Sequence, residues 1–193
     1  IFKDMESYQG DADDEFRGRV GPLKVSESLE TGPLYDAIFA AAKQTGLDSP
    51  RDYNGAIQDG IVMSQTTIRK GRRMSTAFCY LDPARGRRNL TIQTDALAER
   101  LIFDGKRCTG VRYGVKGQRR TALANREVIV SAGTINSPQL LELSGIGQAD
   151  RLKDLGIAVR HDLKGVGENL RDHFAPRLKW TVPASLGLTY NDR

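Results

Sequence analysis

The stretch from Leu97 to Ala124 constrains the fold of this chain most. Leu97–Phe103, Cys108–Val115 and Arg119–Ala124 read as three strands, with the turn pairs Asp104-Gly105 and Gly117-Gln118 between them. Gly and Asp accept the positive φ that a tight hairpin demands, so each pair turns the chain straight back. Three strands joined in this way form an antiparallel β-meander, neighbours in space as they are in sequence. Leu90–Thr94 alternates apolar and polar residues and reads as a further short strand.

The period then changes. Glu127-Val128-Ile129-Val130 is a short apolar run of the kind buried on both faces of a parallel sheet. It leads into two small residues, Ala132 and Gly133, and a helix is expected to start at Ser137-Pro138, pass through Leu140, Leu141 and Leu143, and stop at Ser144-Gly145. Where a strand ends without bulky side chains, a flat or phosphorylated ligand can lie on the backbone. In open α/β sheets that carboxyl edge is where dinucleotides bind. Ala132 and Gly133 are therefore candidate cofactor-binding residues.

On the N-terminal side, Ile1 to Gly10 reads as the tail of a helix. Thr31 is a helix cap with Pro33 in the first turn. Leu34, Ala37, Ile38, Ala41 and Ala42 fall on one stripe expected to face the core, and Gly46 stops the helix. Ile57 to Ile68 reads as extended, and Ser75 caps a short helix through Ala77, Phe78 and Leu81 that Pro83 and Gly86 end. A second short helix spans Ala149 to Leu155, Ile157–His161 is extended, and Trp180-Thr181-Val182 reads as a strand.

Composition excludes several classes. Hydrophobic residues are 39% and charged residues 27% of the 193 residues, a globular balance. No apolar run approaches the roughly 18 residues of a membrane span. Lys and Arg number 29 against 24 Asp and Glu, a net charge of +5, with basic clusters at Arg69–Arg73, Arg85–Arg88 and Arg119-Arg120. Aromatic residues are only 7% and sit away from those clusters, so nucleic-acid stacking has little to work with. Cys79 and Cys108 imply no disulfide framework and suit a reducing compartment. His161 and His173 have no ligand-type residue at helical spacing and make no metal site.

The run Ala132-Gly133-Thr134-Ile135-Asn136-Ser137-Pro138-Gln139-Leu140-Leu141-Glu142-Leu143-Ser144-Gly145-Ile146-Gly147 resembles the second signature of the glucose–methanol–choline (GMC) oxidoreductases. Further blocks agree in order and spacing: Gly21-Pro22-Leu23-Lys24-Val25, Asp52-Tyr53-Asn54-Gly55, Gly71 to Leu81, Asn89-Leu90-Thr91-Ile92, Gly110-Val111, and Gly165 to His173. The resemblance covers essentially the whole chain and is nearest the choline dehydrogenase and alcohol dehydrogenase branch.

The resemblance implies a mixed α+β and α/β fold. It comprises part of a Rossmann-like FAD-binding domain carrying the three-stranded meander, over 89–165, and parts of a substrate-binding domain over 1–88 and 166–193. It implies FAD as cofactor and hydride transfer to the flavin from an alcohol, choline-like or simple. Ala132 and Gly133 match the strand end that lies against the adenosine half of FAD, and Ala98 matches a position whose backbone meets the adenine. His173 matches no catalytic base. Asn169 and Asp172 are expected to tie down its loop. The pyrophosphate loop G-x-G-x-x-G and the segment bearing the family's catalytic His do not occur in these 193 residues. The chain therefore reads as an internal piece of a longer enzyme, inactive by itself, whose partners are the remaining parts of that enzyme and a small alcohol. Exposed apolar surface and self-association are expected of it, and a cytoplasmic or membrane-peripheral location. From the residues alone two other readings stay open, a non-catalytic dinucleotide-type binding module and a basic nucleic-acid-binding domain.

Overall fold

A computed structural model describes residues 1–28, 31–179 and 181. The expected strand at Trp180-Thr181-Val182 lies largely outside the described residues. The chain divides into two compact units, one holding Ile1–Thr91 and the other Ile92–Lys179.

The first unit begins with one helical turn, α1 (Phe2–Met5), which runs straight into β1 (Glu6–Tyr8). Strand β1 pairs in parallel with β2 (Leu23–Glu27), matching Tyr8 to Val25, and β2 pairs antiparallel with β3 (Gln65–Thr66). The sheet order is β1-β2-β3. Ser7 and Tyr8 are both 1% exposed, so the core of this unit sits on β1. The extended reading of Ile57–Ile68 holds only at its end, in β3 and in β4 (Ile68–Arg69). Strand β4 turns into β5 (Arg72–Arg73) through Lys70 and Gly71, both at positive φ, 49° and 71°.

Helix α2 (Pro33–Gln44) forms where expected and ends at Gly46 with φ 78°. Two details differ. The residue before the helix is Gly32 rather than Thr31, and no side chain caps it. Of the apolar stripe only Ala42 is buried, while Leu34 and Ile38 are exposed. Helical spacing assembles an apolar face, but burying that face takes a second element, and among the described residues of this unit none covers it. Ser75 does act as a cap: its hydroxyl accepts the Phe78 N–H at 3.2 Å. The next turn, Ala77–Leu81, is wound as a π-helix before α3 (Asp82–Ala84). Pro83 has no N–H to return to Cys79, which favours such an irregular turn.

The second unit is built on the meander. Strands β6 (Ala96–Asp104), β7 (Arg107–Val115) and β8 (Gln118–Leu123) pair antiparallel in that order. The turns sit one residue from their expected places. Asp104 pairs with Arg107, so the first loop is Gly105-Lys106, with positive φ at Gly105 alone. In the second, Val115 pairs with Gln118 and the loop is Lys116-Gly117, at φ 49° and 78°. The ladder takes as many strand residues as it can pair, and the glycine marks the turn only to within one position. Leu90–Thr94, expected as a strand, has no ladder partner and is not one.

Glu127–Val130 is corrected in the same way. It pairs with nothing among the described residues, is not a strand, and leaves Ile129 77% exposed. An apolar run becomes a buried strand only if neighbours supply its hydrogen bonds and cover both faces. Helix α4 (Gly133–Leu143) starts four residues before the expected Ser137, with Pro138 inside it. Ser137 closes the first turn instead, its hydroxyl accepting the Ala132 N–H at 3.0 Å. Gly145, φ 87°, ends the helix, and its N–H bonds back to the Glu142 carbonyl. A Cβ there would overlap the Ala158 carbonyl oxygen, so both the turn and the packing require glycine.

Beyond it, β9 (Ile146–Gly147) pairs in parallel with β10 (His161–Asp162) around α5 (Ala149–Asp154), whose Leu152 is fully buried. Ser144 joins the helix to the meander. Its hydroxyl accepts the Leu101 N–H at 2.8 Å and donates to the Leu140 carbonyl. Ser144→Ala leaves a buried N–H without its acceptor. It should cost about 1–3 kcal/mol, read from urea unfolding of the variant against the parent chain.

Candidate functional site

The residues marked for the cofactor lie in the second unit. Ala132 immediately precedes α4, Gly133 is its first residue, and both are exposed. Gly133 holds φ 87°, and a Cβ built on it would meet nothing, so the backbone faces open space. The early N–H groups of a helix have no intrahelical acceptor, which makes this end of α4 electropositive. Ala98 is exposed on β6, next to a bulge between Ala98 and Arg100. Strand β6 is an edge of its sheet, so part of its backbone points away from β7. Ser144 takes one such N–H, from Leu101.

Small side chains, open backbone and unpaired polar groups are what the flat adenosine end of FAD requires, and Ala98, Ala132 and Gly133 fit it. The hydrogen bonds that join β6 to α4 lie at the helix C-terminus, from Leu101 N–H to Ser144 and from Arg100 Nε to the Leu143 carbonyl at 2.9 Å. Ala132 and Gly133 are at the opposite end, and no described hydrogen bond brings Ala98 to them.

His173 is fully exposed beside Asp172, 3.9 Å from its carboxylate. The Asp172 carboxylate accepts the His173 N–H at 2.8 Å, and Asn169 adopts positive φ, 56°. Asp172 thus makes the expected local hydrogen bond, whereas Asn169 contributes a turn conformation and no side-chain hydrogen bond among the described residues. His161 pairs through its backbone in β10. Cys79 and Cys108 are both free thiols. Among the described residues no group of three or more His, Cys, Asp or Glu could hold a metal ion, and no helix is long and apolar enough to cross a membrane.

The first unit contains a polar centre that sequence reasoning missed. Arg17 is 5% exposed. Its guanidinium lies 3.3 Å from Asp52 and 3.5 Å from Glu6, donates to Gln65 Oε1 at 2.8 Å, and covers the Tyr8 ring at 3.9 Å. The Gln65 amide nitrogen donates to Asp52 at 2.7 Å and to the Tyr8 hydroxyl at 3.1 Å, and that hydroxyl donates to Glu27 at 2.8 Å. Burial, helped by the Glu27 carboxylate, pushes the Tyr8 phenol well above its ordinary range. Tyr8 therefore stays neutral and is no base at physiological pH. The centre ties β1, β3 and the Asp52–Gly55 turn together. An arginine buried between two carboxylates leaves no periodic trace in a sequence. The one legible hint was the Asp52-Tyr53-Asn54-Gly55 turn.

Comparison with known proteins places the chain in a family. Residues 1–175 match the family described as GMC oxidoreductase. The chain is 48% identical over 158 residues to human mitochondrial choline dehydrogenase, covering 82% of this chain and 27% of that protein. It is 46% identical over 172 residues to the oxygen-dependent choline dehydrogenase of Rhizobium johnstonii, covering 89% and 31%. Among solved structures, an FAD-dependent oxidoreductase from Chaetomium thermophilum superposes with a TM-score of 0.82 at 28% identity, covering 89% of this chain and 32% of that one. The chain thus spans about three-tenths of the length of these relatives. The long signature at the start of α4, the family match over 1–175 and the shared fold agree: the chain belongs to the GMC oxidoreductase family.

Proposed function

We propose that this chain forms the adenosine-facing part of an FAD-dependent alcohol oxidoreductase. The observation that carries the reading is the open backbone at Ala132-Gly133, at the head of a family signature, with glycine held at a φ that other residues resist. Gly133 and Ala132 would hold the adenosine half of FAD at the electropositive end of α4, and Ala98 would meet the adenine along the edge of β6. FAD, when bound, supplies the acceptor for the two electrons and hydrogen leaving an alcohol carbon. The residues of this chain bind and orient; none of those described is placed as the proton acceptor. The names of the relatives favour a choline-like alcohol, and simple alcohols are the second substrate class.

The reading is tested by flavin retention. Gly133→Val adds a branched side chain on the ligand face and forces an unfavourable φ. In the enzyme that contains this chain it should lower bound flavin at least tenfold, read from absorbance near the flavin bands after gel filtration. The 193-residue chain alone is expected to turn over neither choline nor a simple alcohol with an artificial electron acceptor. Undiminished flavin in the variant, or turnover by the chain alone, would contradict the respective half of the proposal.

A further inference from the structure

The basic hairpin β4–β5 takes no part in the cofactor-facing site, and it leads straight into an exposed hydroxyl. Four of the five residues from Arg69 to Arg73 are Arg or Lys, and no Asp or Glu occurs between Asp59 and Asp82. The ladder sets Arg69 directly opposite Arg72. Like charges facing each other across a ladder repel, so the hairpin concentrates positive potential that an attached anion would relieve. Both strands are exposed, and so is Ser75, two residues after Arg73. The order Arg72-Arg73-Met74-Ser75 puts two arginines and one spacer before a hydroxyl, and it occurs once in the chain. After Arg87-Arg88 and Arg119-Arg120 the same position holds Leu90 and Ala122.

One of the guanidinium groups and the hydroxyl already meet at a common residue. Ser75 Oγ accepts the Phe78 N–H at 3.2 Å, and the Arg72 guanidinium covers the Phe78 ring at 4.1 Å. An arginine fork and a phosphate make the paired, charge-assisted hydrogen bonds to which arginine is suited. Met74, between Arg73 and Ser75, is buried and donates its N–H to the Thr67 carbonyl at 2.7 Å. That bond extends a hairpin with two residues in each strand, which has little stability of its own. Local opening at Met74 is enough to present 72–75 as an extended segment.

We propose that Ser75 is a phosphorylation site for protein kinases that select arginine two and three residues before the acceptor, and that Arg72 holds the phosphate once it is attached. Kinases discriminate substrates by such charge patterns. In the transfer, Ser75 Oγ bonds to the γ-phosphorus of ATP and the bond from that phosphorus to its bridging oxygen breaks. ADP leaves, and the hydroxyl proton goes to the catalytic aspartate of the kinase. The product sets a charge of about −1.5 to −2 against the cations of the hairpin. The inference does not depend on flavin binding, since it uses neither Ala98, Ala132 nor Gly133.

The test incubates the purified chain with ATP and the catalytic subunit of cyclic-AMP-dependent protein kinase, and maps the added phosphate by peptide mass spectrometry. One phosphate is expected, on Ser75. Ser75→Ala should abolish it and Thr76→Ala should leave it. Arg72→Gln and Arg73→Gln should each lower the initial rate about tenfold or more, the loss of one charge-assisted contact. Arg120→Gln, beside Thr121, should leave the rate unchanged. The Arg73→Gln arm keeps the test decisive if Arg72→Gln fails to fold. The phosphorus resonance of the product then reports on Arg72. A phosphoserine with no cationic neighbour takes up its second proton at about pH 6. A guanidinium alongside favours the dianion, so the midpoint should lie below that value in the parent and return to it in Arg72→Gln phosphorylated by prolonged incubation. No phosphate on Ser75, or a rate insensitive to both arginines, would overturn the site. A midpoint equal in the parent and Arg72→Gln would overturn the role of Arg72.

Discussion

Arg17→Ala is expected to cost about 3–5 kcal/mol, because it leaves two buried carboxylates facing each other without their cation. Asp52 and Glu6 are 6% and 14% exposed at the side chain, too little for water to replace the guanidinium. Two further contacts go with it, the hydrogen bond to Gln65 and the face of the Tyr8 ring, and with them the register they hold between β1, β3 and the Asp52 turn. Arg17→Met keeps most of the volume and should cost nearly as much, since the loss is electrostatic. Adding Asp52→Asn to Arg17→Met should recover part of the loss by removing one of the stranded charges, a non-additivity that a pure packing role would not show. Hydrogen exchange places the effect. Protection should fall over residues 1–28 and 52–69 and stay unchanged across the meander. A loss under 1 kcal/mol for Arg17→Ala would mean that water reaches the two carboxylates.

The second large effect belongs to Leu152→Ala, expected to cost about 2–5 kcal/mol through lost burial and the cavity left behind. Leu152 is completely buried in a helix of six residues. A helix that short has no stability of its own. It stays wound because Leu152 anchors one side and because the Ile157 N–H returns to the Leu152 carbonyl at 2.8 Å after Gly156 turns the chain. Losing the anchor should therefore melt α5 and, with it, the β9–β10 pairing that α5 spans, visible as joint loss of exchange protection at residues 146–163. Leu152→Met, which keeps the volume, should cost under about 1.5 kcal/mol. Equal losses from the two variants would rule out the cavity account.

Much of the second unit was legible in the sequence. The meander follows from turn chemistry, because Gly105 and Gly117 tolerate φ values that other residues resist, and because adjacent strands with short loops have almost no choice but to pair. The helix ends at Gly46, Gly145 and Gly156 follow from the same local sterics. The register lay beyond such reasoning: both turns shifted by one residue once the ladder chose its pairs. The family signature marked Ala132 and Gly133, and the structure places them at an open helix start rather than at the end of a buried strand. Arg17 was not legible as a site. It is one arginine in an arginine-rich chain, and what distinguishes it is burial between two carboxylates, which has no spacing in the sequence.

The amino-acid sequence by itself therefore determined where the chain turns, where its helices stop, and which family the start of α4 belongs to. These are local properties, set by backbone sterics and by runs of adjacent residues. Only the tertiary structure decided which apolar faces are covered, so that Ala42 is buried while Leu34 and Ile38 are not, and Val128–Val130 finds no ladder. It alone decided which charges meet, with Arg17 held between Glu6 and Asp52. Burial and ion pairing depend on residues distant in the chain arriving at one place, and no pattern along the chain records who arrives.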